Sequence, residues 1–298
     1  MIVSDGSPTL EDAGEFTARP GGAPANVAVA LRRLGVASAF CGAVGDDPFG
    51  ARLRRVLLSE HVDISSLKVV PGETTTLAFA WRNERGDGQF RLVRLADVLL
   101  SELDVEQAAI ADRAAIIVGS VALTASPSRE AIYRAVVLAS DAGVPVGFDV
   151  NMRPSLWESA AQAREICQPV LDRTTILKLS VDDADVLFGL RDPDEIFAAR
   201  IGSAVVRLLT DGSRGAWFRN ESGEVEHVAA HSIEPVEPTG AGDAFTAAVI
   251  SRYLSSQRAP NRDDIAFASA AGAITATRIG AIESLPTRAE IEQFLISR

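Results

Sequence analysis

Residues 144–149, Val-Pro-Val-Gly-Phe-Asp, form a short apolar run of strand length, and a helix-length stretch follows at 160–171. That pairing decides the fold, because it recurs along the chain. The run 114–118 precedes a helical stretch at 128–142, and 176–179 precedes another at 182–188. A further strand reads at 204–210, with a neighbour at 216–219. Upstream, 25–34 and 50–60 read as helices, with a strand at 37–44 between them. Short apolar strands alternating with helices imply an α/β fold, a mostly parallel central sheet flanked by helices. One segment breaks the rhythm. Runs at 74–81 and 89–95 flank Asn83-Glu84-Arg85-Gly86-Asp87-Gly88, whose turn chemistry predicts a hairpin that projects as a separate β element.

The chain has 298 residues, 47% of them hydrophobic, which suits one large domain with a small appendage. No apolar run reaches membrane-spanning length, and Met1-Ile2-Val3-Ser4-Asp5 lacks the basic and apolar regions of a signal peptide. A cytoplasmic protein is expected. A net charge of −11, with scattered acidic residues, argues against nucleic acid or an anionic membrane as partner. Cys41 and Cys167 read as buried free thiols rather than a disulfide or a metal site. His227 and His231 are four apart, but the pattern at 225–228 is that of a strand, where such residues are only neighbours. Neither a Gly-x-x-x-x-Gly-Lys-Ser/Thr loop nor His-Glu-x-x-His occurs, and three histidines leave little material for a Ser-His-Asp hydrolase.

The chemistry concentrates at residues 237–245, Glu-Pro-Thr-Gly-Ala-Gly-Asp-Ala-Phe. Thr239 to Gly242 is small and turn-prone, and the apolar run Ala244, Phe245, Ala247, Ala248, Val249, Ile250 follows at once, as where a loop feeds a helix. N–H groups at such a start are unpaired and carry the positive end of the helix dipole, so they suit an anion. Asp243 falls in the first turn, placed to take a proton from an attacking hydroxyl while Gly240, Ala241 and Gly242 hold a phosphoryl group. The plainer alternative is a glycine-rich loop with Asp as a cap.

Ligands of α/β sheets bind beyond the carboxyl ends of the strands. Asp149, Asn151 and Arg153 follow one strand, Ser180, Asp182 and Asp183 the next, and Thr210, Asp211, Gly212, Ser213 and Gly215 a third. Each group alone could be a turn or a cap. Three such exits in succession predict a cleft.

Several motifs, spaced over most of the chain, resemble those of the ribokinase-like (PfkB-type) sugar kinases, with the bacterial fructokinases nearest in appearance. They are Pro20-Gly21-Gly22-Ala23-Pro24-Ala25-Asn26-Val27-Ala28, residues 44–50 (Val-Gly-Asp-Asp-Pro-Phe-Gly), Ala96-Asp97-Val98-Leu99-Leu100, residues 148–154, Thr210-Asp211-Gly212-Ser213-Arg214-Gly215, and the stretch at 239–245. Gly280-Ala281-Ile282 and Leu285-Pro286 also fit. The resemblance implies an ATP-dependent kinase acting on a primary hydroxyl of a sugar. Gly21, Gly22 and Asn26 would contact the sugar, with Arg94 and Arg153 near it or the phosphates. Gly240, Ala241 and Gly242 would form the anion hole, with Asp243 as general base. Ser180, Thr210, Gly212 and Gly215 would line the nucleotide site, and Ser269 and Gly272 would flank the adenine. Mg²⁺ would bridge the ATP phosphates, mainly through water. Residues 1–298 would form one ribokinase-like domain, with 74–95 as an inserted β lid that covers the sugar and pairs two copies as a homodimer.

The chain also departs from the family pattern. Members usually begin with a core strand carrying Gly-Glu and then a sugar-binding Asp. Here that strand is expected to be missing or truncated, and Asp5 is not the same position. Ser180-Val181-Asp182-Asp183 stands where Asn-x-x-Glu is common, and Ser269 where an Asn is. Glu237-Pro238 replaces a common Asp-Thr beside the monovalent-cation site that the resemblance implies. Fructose is the leading substrate and 2-keto-3-deoxygluconate the next, since Arg94 could serve an acidic sugar. The alternative from another class is a non-catalytic sugar- or nucleotide-binding homologue.

Overall fold

The structure is a computed structural model that describes residues 1–4, 6–82 and 88–297. The chain opens with β1 (Ile2–Ser4), β2 (Phe16–Ala18), α1 (Ala23–Arg33), β3 (Gly42–Gly45), α2 (Pro48–Ser59) and β4 (Leu67–Val70). Then come β5 (Leu77–Arg82), β6 (Gly88–Val93), α3 (Glu102–Glu106), β7 (Ile116–Gly119), α4 (Ser128–Asp141), β8 (Val146–Asp149) and α5 (Ala160–Leu171). The remainder is β9 (Ile176–Ser180), α6 (Val181–Phe188), α7 (Pro193–Ala198), β10 (Val206–Thr210), β11 (Ala216–Arg219), β12 (Val225–Val228), α8 (Ala241–Ser256), α9 (Arg262–Ala276) and α10 (Arg288–Ile296).

Among the described residues the central sheet runs β12-β11-β10-β9-β8-β7. Strands β7 to β10 are parallel, while β11 and β12 complete one edge antiparallel. This is the expected α/β architecture. The strands are short and apolar because both faces are covered. Alternation sends Ile176 and Leu208 to a core shared with α1, α8 and α9, which includes Val29, Phe218, Val249 and Phe267. Leu177, Leu179 and Leu209 point the other way, to a core with α4, α5 and α6 that includes Val136, Phe148, Cys167 and Leu187.

Register fixes what the strand ends present. Gly119 pairs with Asp149, Asp149 with Lys178, and Ser180 with Thr210, so these residues line one end of the sheet.

The predicted hairpin is present. Strands β5 and β6 pair antiparallel from Leu77↔Val93 to Arg82↔Gly88, and the turn at 83–87 lies outside the described residues. The hairpin is part of a larger sheet, β2-β1-β5-β6, in which β1 runs parallel to β5. Its base is held by Asp47, which caps α2 through the Gly50 N–H at 2.7 Å and accepts the Thr75 N–H at 2.8 Å and the Thr75 hydroxyl at 2.7 Å.

One expected strand is corrected. Only 42–45 of the run 37–44 and its end form strand β3, and it pairs with β4 in a separate two-stranded sheet. Earlier in the run the pairing is reduced to the bridge Ala39↔Asp63, because the partner chain there is the turn after α2. Both cysteines are free, Cys167 buried and Cys41 half-buried. His227 lies in β12, its ring stacked at 4.3 Å on Trp217 and its Nε2 against the Arg214 carbonyl.

Candidate active site

Helix α8 starts where the sequence placed it. Gly240 precedes it at φ +86°, a left-handed conformation that a residue with a Cβ resists. Gly242 is exposed while Asp243, one residue on, is buried at 7%. The turn therefore brings Gly242 to the surface above a buried carboxylate, while the Ala241 N–H is taken by the Pro238 carbonyl at 3.1 Å.

Asp243 does not stand alone. Asn26 in α1, 3% exposed, donates from Nδ2 to Asp243 Oδ2 at 2.7 Å across 217 residues of sequence. Burial, reinforced by the charge of Asp149, pushes the Asp243 carboxyl up to about 6 against the pull of Asn26, Lys178 and Arg153. A carboxyl poised there can accept a proton near neutral pH. Asn26 Oδ1 is buried and has no hydrogen-bond partner among the described residues.

Beneath the turn lies a second group of charges. Lys178 Nζ sits 3.1 Å from Asp149 Oδ1, and Asp149 Oδ2 accepts the Thr246 hydroxyl at 2.6 Å. Burial pulls the Lys178 ammonium down, but Asp149, then Asp183 and Asp243, outweigh it and leave its pKa raised. Asp183 accepts the Met152 N–H at 2.7 Å and the Ser180 N–H at 2.8 Å, which pins the exits of β8 and β9 together.

The other expected residues fall as follows. Gly21 and Gly22 lead into α1, and a Cβ built on Gly21 would stand 3.6 Å from Asn26 Oδ1 and 3.5 Å from Ala281 Cβ. A Cβ on Gly240 would meet the Ala281 carbonyl at 3.3 Å, so the two glycine motifs converge on Ala281. Arg153 is half-buried, its guanidinium 5.0 Å from the centre of the Phe90 ring on β6. Thr210 ends β10 beside Ser180, whose hydroxyl accepts the Asp183 N–H at 3.0 Å as the cap of α6. Gly212 and Gly215 bound the next turn, Gly215 pressed so close to the Val228 carbonyl that a Cβ would lie 2.2 Å from it. Ser269 and Gly272 share a face of α9, and a Cβ on Gly272 would reach the Ala241 carbonyl at 3.1 Å. Arg94 is engaged elsewhere. Its Nε donates to Asp97 at 2.6 Å and its Nη1 to the Val121 carbonyl at 2.6 Å and to the Thr124 hydroxyl, at the base of the hairpin. Glu237 accepts the Gly280 N–H at 2.9 Å.

Sequence reading did not single out Lys178. Its signal was there: a charged residue inside Ile176–Ser180, a run buried on both faces, needs a buried partner.

A helix start with a buried carboxylate in its first turn, at the carboxyl end of a parallel sheet, is an arrangement that suits phosphoryl transfer. Comparison with known proteins specifies the class. Residues 2–288 match the pfkB family carbohydrate kinase pattern, and the chain belongs to that family. It is 35% identical over 300 residues to Fructokinase-1 of Oryza sativa subsp. japonica, covering 97% of this chain and 92% of the relative. Fructokinase-1 of Zea mays is 37% identical over 301 residues, covering 96% and 91%. A putative ribokinase II from E. coli, solved with ATP and Mg²⁺, superposes with a TM-score of 0.89 at 28% identity, covering all of this chain and 96% of that one. Fructokinase from Vibrio cholerae O395, solved with fructose, ADP and calcium, gives 0.83 at 28%, covering 99% and 96%. No helix among the described residues is long and apolar enough to cross a membrane.

Proposed function

We propose that this kinase transfers the γ-phosphoryl group of ATP to a primary hydroxyl of fructose. The observation that carries the reading is the Asp243 carboxylate, buried under an outward-facing helix start and held by Asn26. With Oδ2 occupied by Asn26, Oδ1 takes the proton of the attacking hydroxyl. The N–H groups of Gly240 and Gly242 receive the transferring phosphoryl group, whose growing negative charge they stabilise, while Ala241, its N–H bound to the Pro238 carbonyl, holds the turn in shape.

Gly21, Gly22 and Asn26 orient the sugar, and Arg153 offers charge beside it. Ser180, Thr210, Gly212 and Gly215 flank the nucleotide, with Ser269 and Gly272 toward its base. Mg²⁺ supplies charge neutralisation on the phosphates. Asp149 and Asp183 are already engaged by Lys178, Thr246 and backbone N–H groups, which fits an ion carried by the nucleotide and water. Glu237, tied to the Gly280 N–H, borders the place where a monovalent cation would act. The sheet β2-β1-β5-β6 serves as a lid and pairs two copies, a role supported by Phe90 resting on Arg153 and by Phe16 at 44% exposure. Fructose is favoured over 2-keto-3-deoxygluconate because Arg94, the cation a sugar acid would need, is bound to Asp97 and Val121.

The test is ADP release with Mg-ATP across fructose, 2-keto-3-deoxygluconate, ribose and nucleosides, with Asp243→Asn as control. Turnover on fructose that the variant abolishes is the expected result. Silence on every sugar from folded protein sinks the reading.

A further inference from the structure

Lys178 is an anomaly within its own strand. Its neighbours on the same face of β9 and β10, Ile176 and Leu208, belong to an apolar core, yet Lys178 is 6% exposed and charged. The parallel register sets it opposite Asp149, and the ion pair at 3.1 Å follows from that pairing. Asp149 in turn holds Thr246, one turn beyond Asp243 in α8. A Cβ built on Gly242 would stand 3.3 Å from Lys178 Nζ, so the ammonium lies directly beneath the turn that faces outward. Behind the pair is a cavity of about 10 Å³ lined by Asp149, Lys178, Thr246 and apolar side chains, room for one water at most. Bulk solvent does not screen these charges.

We propose that Lys178 is a positioning residue for phosphoryl transfer: its ammonium anchors Asp149 and the start of α8, and places positive charge behind the Gly240–Gly242 turn. This rests on the kinase reading above. The groups acting on Asp243 are Asn26 from α1, Asp149 from β8, Arg153 from the loop after it and Lys178 from β9, while Asp183 from α6 acts on Lys178. Without Lys178, Asp149 and Asp243 lie behind the turn and Arg153 is the cation left among these groups. A phosphoryl group bearing several negative charges would then meet a repulsive floor.

Lys178 and Asp149 act on Asp243 in opposite senses, the first favouring its ionised form and the second its protonated form. The experiment compares wild type, Lys178→Gln and Asp149→Asn by two readouts. One is the pH profile of fructose phosphorylation with Mg-ATP. The other is the titration of the Asp243 carboxyl by ¹³C NMR, assigned by its loss in Asp243→Asn. Lys178→Gln should lower kcat roughly 100-fold with fructose KM within about 3-fold of wild type. It should also move both the acid limb and the carboxyl titration to higher pH. Asp149→Asn should move both to lower pH. An unmoved titration in folded Lys178→Gln overturns the proposal, and so does a kcat within about 3-fold of wild type, which is what a purely structural lysine predicts. Shifts of the same sign in both variants also overturn it. If Lys178→Gln does not fold, because Asp149 is left buried without its counter-charge, the double variant Lys178→Gln/Asp149→Asn replaces it, and a kcat near wild type in that variant overturns the proposal. Wild-type silence on every sugar would refute the kinase reading, while the NMR titration would still decide whether Lys178 governs Asp243.

Discussion

The buried floor beneath the α8 turn and the four-stranded sheet β2-β1-β5-β6 are held together in opposite ways. The floor draws Asn26, Asp149, Lys178 and Asp243 from α1, β8, β9 and α8, and each is buried. Every one of those groups is ordered by a partner distant in sequence. The outer sheet is assembled from β1, β2 and a local hairpin, leaves Phe16 and Val93 exposed, and is secured mainly at its base through Asp47, Thr75, Arg94 and Asp97. The difference teaches where each kind of work belongs. Charge that must already be in place when a phosphoryl group arrives needs a dry, rigid floor. A surface that must admit and release a sugar suits an element with few buried contacts and low local stability.

The comparison breaks first at Asp243. Asp243→Asn should lower kcat by about 10²–10⁴-fold or more, since it removes the base and leaves the anion-binding turn. The same variant should be more stable than wild type at neutral pH. The Asp243 carboxyl is raised to about 6 in the folded protein, so the stability that its protonation contributes is complete below the unfolded carboxyl's ordinary value and is lost as pH rises through 6. That rise corresponds to roughly 3 kcal/mol, seen as a higher Tm by calorimetry at pH 7.5 and absent at pH 3.5. A variant that lost activity and stability together would show that the floor is not strained by its carboxylate.

Next comes Asn26→Ala. Losing the hydrogen bond from Nδ2 should cut kcat/KM roughly 10–100-fold. Because that bond favours the ionised carboxylate, its loss should move the acid limb of the pH–rate profile upward. An acid limb left at its wild-type position would show that Asn26 serves the sugar alone.

The sheet should respond more mildly. Phe90→Ala removes the ring from Arg153, worth about 0.5–2 kcal/mol, and should raise the sugar KM about 2- to 30-fold with kcat nearly intact. A fall in kcat instead would place Phe90 with the floor. Phe16→Ser should have the smallest effect on activity, while the loss of its edge-to-face contact with Phe79 should lower monomer stability by about 1–2 kcal/mol. Light scattering would then show whether two copies pair through this face, because a dimer built on it would weaken.

Much of this was legible in the chain. The βα rhythm, the hairpin at 74–95 and the start of α8 each follow from residue pattern, since short apolar runs, turn residues and small residues before a helix act locally. The three-residue strands β1 and β2 carry too few residues for any period to show. Helices α9 and α10 had a usable signal in the capping boxes Asn261-x-x-Asp264 and Thr287-x-x-Glu290. At the site, Asp243 and Asn26 were each recognisable, but nothing local joins them. Arg94 looked like a free cation until the fold bound it to Asp97 and Val121.

The sequence by itself determined the βα rhythm of the middle of the chain, the family motifs and a glycine-rich helix start, all set by neighbours a few residues apart. Only the tertiary structure decided the surroundings of the Asp243 carboxyl, and with them its raised pKa. The charge state of Asp243 depends on its burial, on Asn26 some 217 residues away and on the Lys178–Asp149 pair, and those exist together only once α1, β8, β9 and α8 have packed.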